Sequence, residues 1–403
     1  MTQAFDGIRI IDFTQVLAGP FAVMQLALLG ADVIKVEQPV TGDQTRGLMN
    51  ESGNAGMSPS FLTCNVNKKS LTLNLKAREA RTILTALVKT ADVIVENFKS
   101  GTMDRMGFGY EDLKAINPGI IYCSVTGYGQ TGPKAGAAAY DGAIQASSGM
   151  MSQTGHRQTG PTRTGYMPVD MATSLNTAFA VSAALYRRAV TGVGQMIDVA
   201  MLDTAIVAQA AQFSNYLNAG NLVGLNGNAS PTGQPTADVF PTLDGLIQVT
   251  ALRQPQVETL FEIIGETQAL GQEALATPTA RMAHPEEVKT CVSAALQKNT
   301  TAFWMEKLEA AGVPVAEVRT LPEVVADPQL KFRGVLEKIP SPVRTGDTVT
   351  IVKAGYITDA DGPSVRFAPP GLGEHTREIL LSLGFSESTI AEWDQAGIIG
   401  LNA

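Results

Sequence analysis

Two aspartates stand apart because their neighbours carry no charge. Between Arg163 and Arg187 the only charged residue is Asp170, which directly precedes an uncharged, helix-like stretch at 171–186. Between Lys134 and Arg157 the only charged residue is Asp141. The plain reading makes each aspartate the N-cap of its own helix, a position that Asp favours. The chemical reading makes each a carboxylate in an apolar, water-poor site, where fixed dipoles and a helix N-terminus replace its hydration. Such a group can serve as nucleophile or base. The two readings are compatible.

Other chemistry is thinly supplied. The three histidines, His156, His284 and His375, are dispersed, which argues against a histidine-rich metal centre. The three cysteines, Cys64, Cys123 and Cys291, form no CxxC pair, so zinc ribbons and dithiol redox motifs are excluded and the compartment reads as reducing. Cys64 and Cys123 read as plain buried thiols. Gly127, Gly129 and Gly132 make a G-x-G-x-x-G after an expected strand, but Pro133 and Gly136 come next and no helix opens there. There is no Walker A sequence. Lys76, Lys99 and Arg105 lie near expected loop ends and form a loose basic set, suited to an anion at the C-terminal edge of a parallel sheet.

The elements that must hold these groups have an α/β pattern. Apolar runs at 8–13 and 32–37 flank a helical segment at 21–29 that stops at Gly30, and together they make a βαβ unit. The pattern recurs with a helix at 76–90 and strands at 92–97 and 120–126, which argues for a parallel, doubly wound sheet. Residues 133–220 read mostly as helix, with a short strand at 195–198. Residues 226–235 (NGNASPTGQP) are a loop by composition, and Leu243-Asp244-Gly245 between apolar runs signals a hairpin. Amphipathic segments lie near 255–265, 285–297 and 300–311. After Pro340 short strands return, then two last helices near 374–384 and 387–396, with His375 at the start of the first. The expected organisation is 1–220, a smaller domain at 225–330, and a return at 340–403.

The chain has 403 residues, enough to bury a large core without a metal or disulfide. Charged residues are 17% of it, below the roughly 25% usual for soluble chains, which suggests surface covered by another subunit. Net charge is -8 with no basic run, so nucleic acid is not an expected partner. No signal-peptide pattern or membrane span is read, and the expected location is cytoplasmic.

Many spaced motifs in one order resemble class III CoA-transferases, the CaiB/BaiF family. They include Asp12-Phe13-Thr14 with Ala18-Gly19-Pro20, the run 29–37 (LGADVIKVE), Gly42-Asp43 with Arg46, and Asn67-Lys68-Lys69-Ser70. Glu96-Asn97-Phe98, the run 126–133 (TGYGQTGP), Tyr140-Asp141, Asp170 and the run 372–376 (LGEHT) continue the series. The resemblance runs from near residue 5 to near 397. It implies a Rossmann-like large domain built from both chain ends, a smaller inserted α+β domain, and an interlocked homodimer.

It also implies a reaction. Asp170 aligns with the family nucleophile, which passes through a mixed anhydride and an aspartyl-CoA thioester. Coenzyme A enters as substrate and no cofactor is held permanently. The partners implied are an acyl-CoA of the succinyl-CoA kind and a small, dicarboxylic acid. Gln15, Val16, Leu17 and Ala18 carry over to the pantetheine and thioester; Leu73, Lys76, Asn97, Phe98, Arg105 and Met106 to the nucleotide half; Tyr140 completes the coenzyme set. Backbone amides of the first loop and of Gly233-Gln234, with the Gln15 side chain, are candidates to hold an oxyanion. The segment 228–235 is a candidate lid, although Ala229-Ser230-Pro231-Thr232 is less glycine-rich than in relatives. Gln15 and Gln38 replace a histidine and an arginine of the formyl-CoA-using relatives. Arg163 and Arg253 are candidates for a second substrate carboxylate. The same family contains acyl-CoA racemases, but Tyr140 stands where those have histidine, and tyrosine, with a pKa of about 10, is a poor base. A non-catalytic CoA-binding protein is the remaining alternative; it would tolerate Asp170→Asn.

Overall fold

The computed structural model describes residues 3–48 and 57–401. The chain divides into two compact units. Unit one takes the stretch up to Met150, Thr164–Phe213 and the chain from Pro328 onward; unit two takes Met151–Arg163 and Ser214–Asp327.

Unit one is organised by six parallel strands. They are β1 (Arg9–Asp12), β2 (Asp32–Glu37), β3 (Lys68–Thr72), β4 (Val93–Glu96), β5 (Ile121–Thr126) and β6 (Gln195–Ala200), in the order β3-β2-β1-β4-β5-β6. Strand order reverses between β1 and β4, so the chain leaves those two strands in opposite directions and opens a crevice at their C-terminal ends. Both faces of the sheet are covered, as parallel sheets require. One face carries Ile11, Ile34, Val36, Leu71 and Ile94 into a core with helix residues Ile83, Leu84 and Leu87. The opposite face carries Ile10, Val33, Val93 and Val95 against Val23, Leu26, Val181 and Leu185.

Four helices matter for the site: α1 (Ala18–Leu28), α2 (Ala80–Thr90), α3 (Asp141–Ser147) and α4 (Pro168–Thr191). α1 is buried all round, as its sequence AGPFAVMQLAL allows. It begins three residues before the expected start at 21. Pro20 sits in its first turn, where a missing N–H costs nothing. Gly30 comes just after it with φ 107°, and an added Cβ there would meet the Asp6 carboxylate at 2.6 Å, so only glycine makes this turn cheaply. α2 begins at Ala80 rather than 76. The strand expected at 195–198 reaches Ala200 and joins the sheet edge beside β5. The last two helices are Thr376–Ser382 and Glu387–Gln395. The Gly373 N–H donates to Ser70 Oγ at 2.9 Å, tying this end of the chain to β3.

Unit two holds the expected hairpin. Ala237–Pro241 and Leu246–Thr250 pair antiparallel, and Val315–Glu317 adds to the second. Helices Gln254–Ile263, Pro285–Leu296 and Thr301–Ala310 match the amphipathic segments, and bury Phe240, Leu260, Phe261, Val292 and Trp304 together. Among the described residues no helix is long and apolar enough to cross a membrane.

Candidate functional site

A cleft of about 300 Å³ opens in unit one at the crevice between β1 and β4. The loop after β1 lines it with Gln15, Val16, Leu17 and Ala18; the loop after β4 with Asn97, Phe98 and Lys99; the loop after β5 with Gly127, Tyr128 and Gly129. Tyr140 and Asp170 complete the wall. Most of the site residues expected from sequence therefore meet in one place: Gln15, Val16, Leu17, Ala18, Asn97, Phe98, Tyr140 and Asp170.

Leu73, Lys76, Arg105 and Met106 lie outside this wall. Leu73 is 1% exposed in the hydrophobic core, and its N–H donates to the Glu37 carbonyl at 2.8 Å. Met106 packs half-buried against the same core. Lys76 is exposed, and Arg105, also exposed, donates to Thr102 Oγ1 at 2.9 Å. Arg163, Arg253 and the segment 228–235 belong to unit two. Within that segment the Ser230 N–H donates to the Ala237 carbonyl at 2.9 Å, and Gly233 has φ 76°.

Asp170 is the third residue of α4, after Pro168 and Val169, and the N-cap is Met167. Asp141 likewise begins α3 with Tyr140 as N-cap. Neither aspartate caps its own helix, which corrects the plain reading of both. Asp141 instead caps α4 from 28 residues away. Its Oδ2 accepts the Val169 N–H at 2.8 Å and the Asp170 N–H at 3.1 Å. Its Oδ1 accepts from Gln145 Nε2 at 2.5 Å, and Gln145 Oε1 accepts the Thr164 N–H at 3.1 Å.

This arrangement has an electrostatic consequence. The first amides of a helix are the donors that would otherwise steady an anion there. Here another carboxylate takes two of them. Among the described residues no hydrogen-bond donor or cation is paired with the Asp170 carboxylate. Burial first, and then the Asp141 charge, push the Asp170 carboxyl up to about 7. Ser174, one turn along α4, lies 2.7 Å from the Ala18 carbonyl and 2.8 Å from that of Asp170, so it links the first loop to the helix that carries the carboxylate.

Beneath the first loop lies a set of buried charges that sequence reasoning did not identify as one group. Asp12 pairs with Lys68 at 2.8 Å, Lys35 with Asp43 at 2.9 Å, and Arg46 with Glu37 at 2.7 Å, all buried. The strand register places Asp12 beside Lys35 and Lys35 beside Ser70, on one face of the sheet. Lys35 Nζ donates to the Thr14 carbonyl at 2.6 Å, and Lys68 Nζ to that of Pro20 at 2.9 Å. Burial opposes the charge on Asp43, but Lys35 and the hydrogen bonds from Thr45 together outweigh it and hold the carboxyl below its ordinary range. Asp12 and Lys35, charged residues with apolar neighbours on both sides, were the available signal.

The buried thiols are quiet. Burial pushes Cys64 up to about 12 and raises Cys123 as well, so neither is a thiolate near neutral pH.

The sequence pattern of CoA-transferase family III matches residues 5–376. A succinate–glutarate CoA-transferase of Agrobacterium fabrum is 36% identical over 389 residues, 95% of this chain and 96% of that protein. A formyl-CoA:oxalate CoA-transferase of Rhodopseudomonas palustris is 34% identical over 421 residues, 99% of this chain and 98% of that protein. The crystal structure of a CaiB/BaiF family protein from Brucella suis superposes with a TM-score of 0.85 at 34% identity, covering 95% of this chain and 100% of that one.

Proposed function

Because the chain belongs to CoA-transferase family III, we propose that it moves coenzyme A from a succinyl-CoA-like donor to a small dicarboxylic acid, with Asp170 as the nucleophile. The observation that carries this reading is the Asp170 carboxylate itself: without a partner among the described residues, lining the cleft, and beside the first loop. Relatives named for glutarate and for oxalate lie within two points of identity of each other, so the acceptor is argued from the sequence departure at Gln15.

The steps balance without a metal, a redox partner or an external base. The Asp170 carboxylate attacks the donor thioester carbonyl; a C–O bond forms, the C–S bond breaks, and CoA leaves as thiolate. The product is a mixed anhydride. The thiolate then attacks the aspartyl carbonyl, a C–S bond forms, and the donor acid departs as carboxylate. The acceptor carboxylate attacks this aspartyl-CoA thioester, and the released thiolate takes the acceptor acyl group, restoring Asp170. Splitting one exchange into acyl transfers is the gain of covalent catalysis.

Each tetrahedral centre needs donors aimed at its oxyanion. The N–H groups of Leu17 and Ala18 have no partner among the described residues, and both residues line the cleft. They suit this role. Asp141 favours the acylated forms, because an ester-like or thioester Asp170 carries no charge to repel.

The same reading includes a homodimer. The outer side of α4 bears Leu175, Phe179, Tyr186 and Val190, which are 57%, 73%, 75% and 70% exposed in the single chain. Apolar surface of this extent supports a second copy as its cover.

The function is tested by incubating the enzyme with succinyl-CoA and glutarate, oxalate or other short acids, and separating the CoA esters. Acceptor-dependent appearance of a new acyl-CoA supports the reading. Simple hydrolysis to free CoA, or no turnover with any pair, opposes it.

A further inference from the structure

We propose that Asn97 is a positioning residue of the transfer reaction: its carboxamide grips both backbone polar groups of Gln15 and holds the first loop in the turn that carries Val16 in a left-handed conformation. The inference rests on the proposed CoA transfer at the same cleft.

The grip is reciprocal. The Gln15 N–H donates to Asn97 Oδ1 at 2.8 Å, and Asn97 Nδ2 donates to the Gln15 carbonyl at 2.8 Å. Asn97 stands just beyond the end of β4 and Gln15 in the loop after β1, so the bond pair spans the crevice where the two strands part. The next residue, Val16, has φ 72°. A β-branched residue in this region is a genuine outlier, and it persists only where its surroundings over-determine it. Three further contacts contribute. The Val16 N–H faces Asp43 Oδ1 at 3.3 Å, Asp43 is fixed by Lys35 at 2.9 Å, and Lys35 Nζ holds the Thr14 carbonyl at 2.6 Å.

The turn matters because it sets the start of α1. Leu17 is the N-cap of that helix and Ala18 its first residue. The orientation of their unpartnered N–H groups depends on the dihedrals at Val16. Without the Asn97 grip, Val16 is free to return to negative φ, and the next peptide turns with it. Asn97 thus acts on the reaction through the loop rather than by touching the reacting atoms. A residue that only gripped the nucleotide half of coenzyme A would behave differently, by setting donor affinity.

The test is a two-by-two set on the full-length enzyme: wild type, Asn97→Ala, Val16→Gly and the double variant. Glycine adopts the left-handed turn without strain, so it should not need the grip. We expect Asn97→Ala to lower kcat about tenfold or more while donor KM moves less than about threefold, and the double variant to recover most of that loss. A merely structural role for Asn97 gives no such rescue. Thermal melting supplies a readout free of activity. Val16→Gly should shift Tm more favourably with Asn97 present than with Asn97→Ala, because only the gripped turn is strained. Raised donor KM with unchanged kcat in Asn97→Ala overturns the proposal, as does a double variant no better than Asn97→Ala. Equal Tm shifts in the two backgrounds overturn the strained-turn half. A wild type that transfers nothing would overturn the transfer reading, and the melting set would still judge the grip by itself.

Discussion

Two groups of carboxylates lie about one cleft, and they are treated in opposite ways. Asp12, Glu37 and Asp43 each meet a buried cation within 2.9 Å. Among the described residues Asp141 and Asp170 meet none, and the charge that acts on Asp170 is that of Asp141. In the first group attraction outweighs burial and the carboxyls sit below their ordinary range. In the second, burial and like charge act together and Asp170 rises to about 7. The paired group fixes the backbone of the first loop. In the proposed reaction the unpaired one keeps a carboxylate whose charge would be relieved on acylation. A carboxylate left without a cation in a cleft, beside others that are neutralised, supports the proposed role of Asp170 as nucleophile.

The largest break in this comparison comes from the unpaired side. Asp170→Ala should lower kcat for CoA transfer by at least about a thousandfold, as removal of a covalent nucleophile does. Steady-state assay of product acyl-CoA checks it. On the paired side, Lys35→Met leaves Asp12, Glu37 and Asp43 short of a cation. It should cost about 3–5 kcal/mol in urea unfolding, since breaking a buried pair strands a charge.

The two groups should also answer pH with opposite signs. A carboxyl raised in the folded state favours folding when protonated, so its stability is intact below the unfolded value near 3.8 and is lost as pH rises toward about 7. Asp170→Asn removes that loss. It should stabilise the protein at pH 8 by at most about 4 kcal/mol and have no such effect at pH 4. The depressed carboxyls of the paired group do the reverse: their contribution is present above the unfolded value and disappears as pH falls through the lower folded one. Melting curves of wild type and Asp170→Asn across pH 4–8 separate the two.

The smallest expected effect sharpens the role of Asp141. Asp141→Asn removes the like charge yet keeps an oxygen for the Val169 and Asp170 amides. For wild type, kcat/KM should rise with pH to a plateau above about 7, since in the proposed reaction the ionised carboxylate attacks. In Asp141→Asn that limb should move to lower pH. Asp141→Ala should in addition cost about 1 kcal/mol through the lost cap.

Much of the architecture was legible because it is local. The run 32–37 (DVIKVE), with apolar residues between turn signals, became a strand with the bounds expected. Leu243-Asp244-Gly245 became a hairpin turn for the same reason. Asp170 was legible as an isolated charge. What escaped was tertiary. Asp141 reads locally as the cap of the helix it begins, and only the fold brings its carboxylate to α4. Lys35 and Lys68 read as ordinary charges until the parallel register sets them among Asp12, Asp43 and Glu37. The helical segment was read from 21, where α1 had already begun at Ala18, because proline is tolerated in a first turn. Asn97 lines the cleft as expected, and its side chain's grip on the Gln15 backbone was visible only in the fold.

The central claim is that Asp170 carries coenzyme A covalently during transfer. The direct measurement is the intact mass of wild type and Asp170→Ala after mixing with succinyl-CoA and quenching in acid. The account predicts an added mass equal to the CoA thioester on wild type only. Absence of any adduct on wild type across a panel of acyl-CoA donors, together with deuterium exchange at the substrate α carbon, would contradict it and turn the site toward proton transfer.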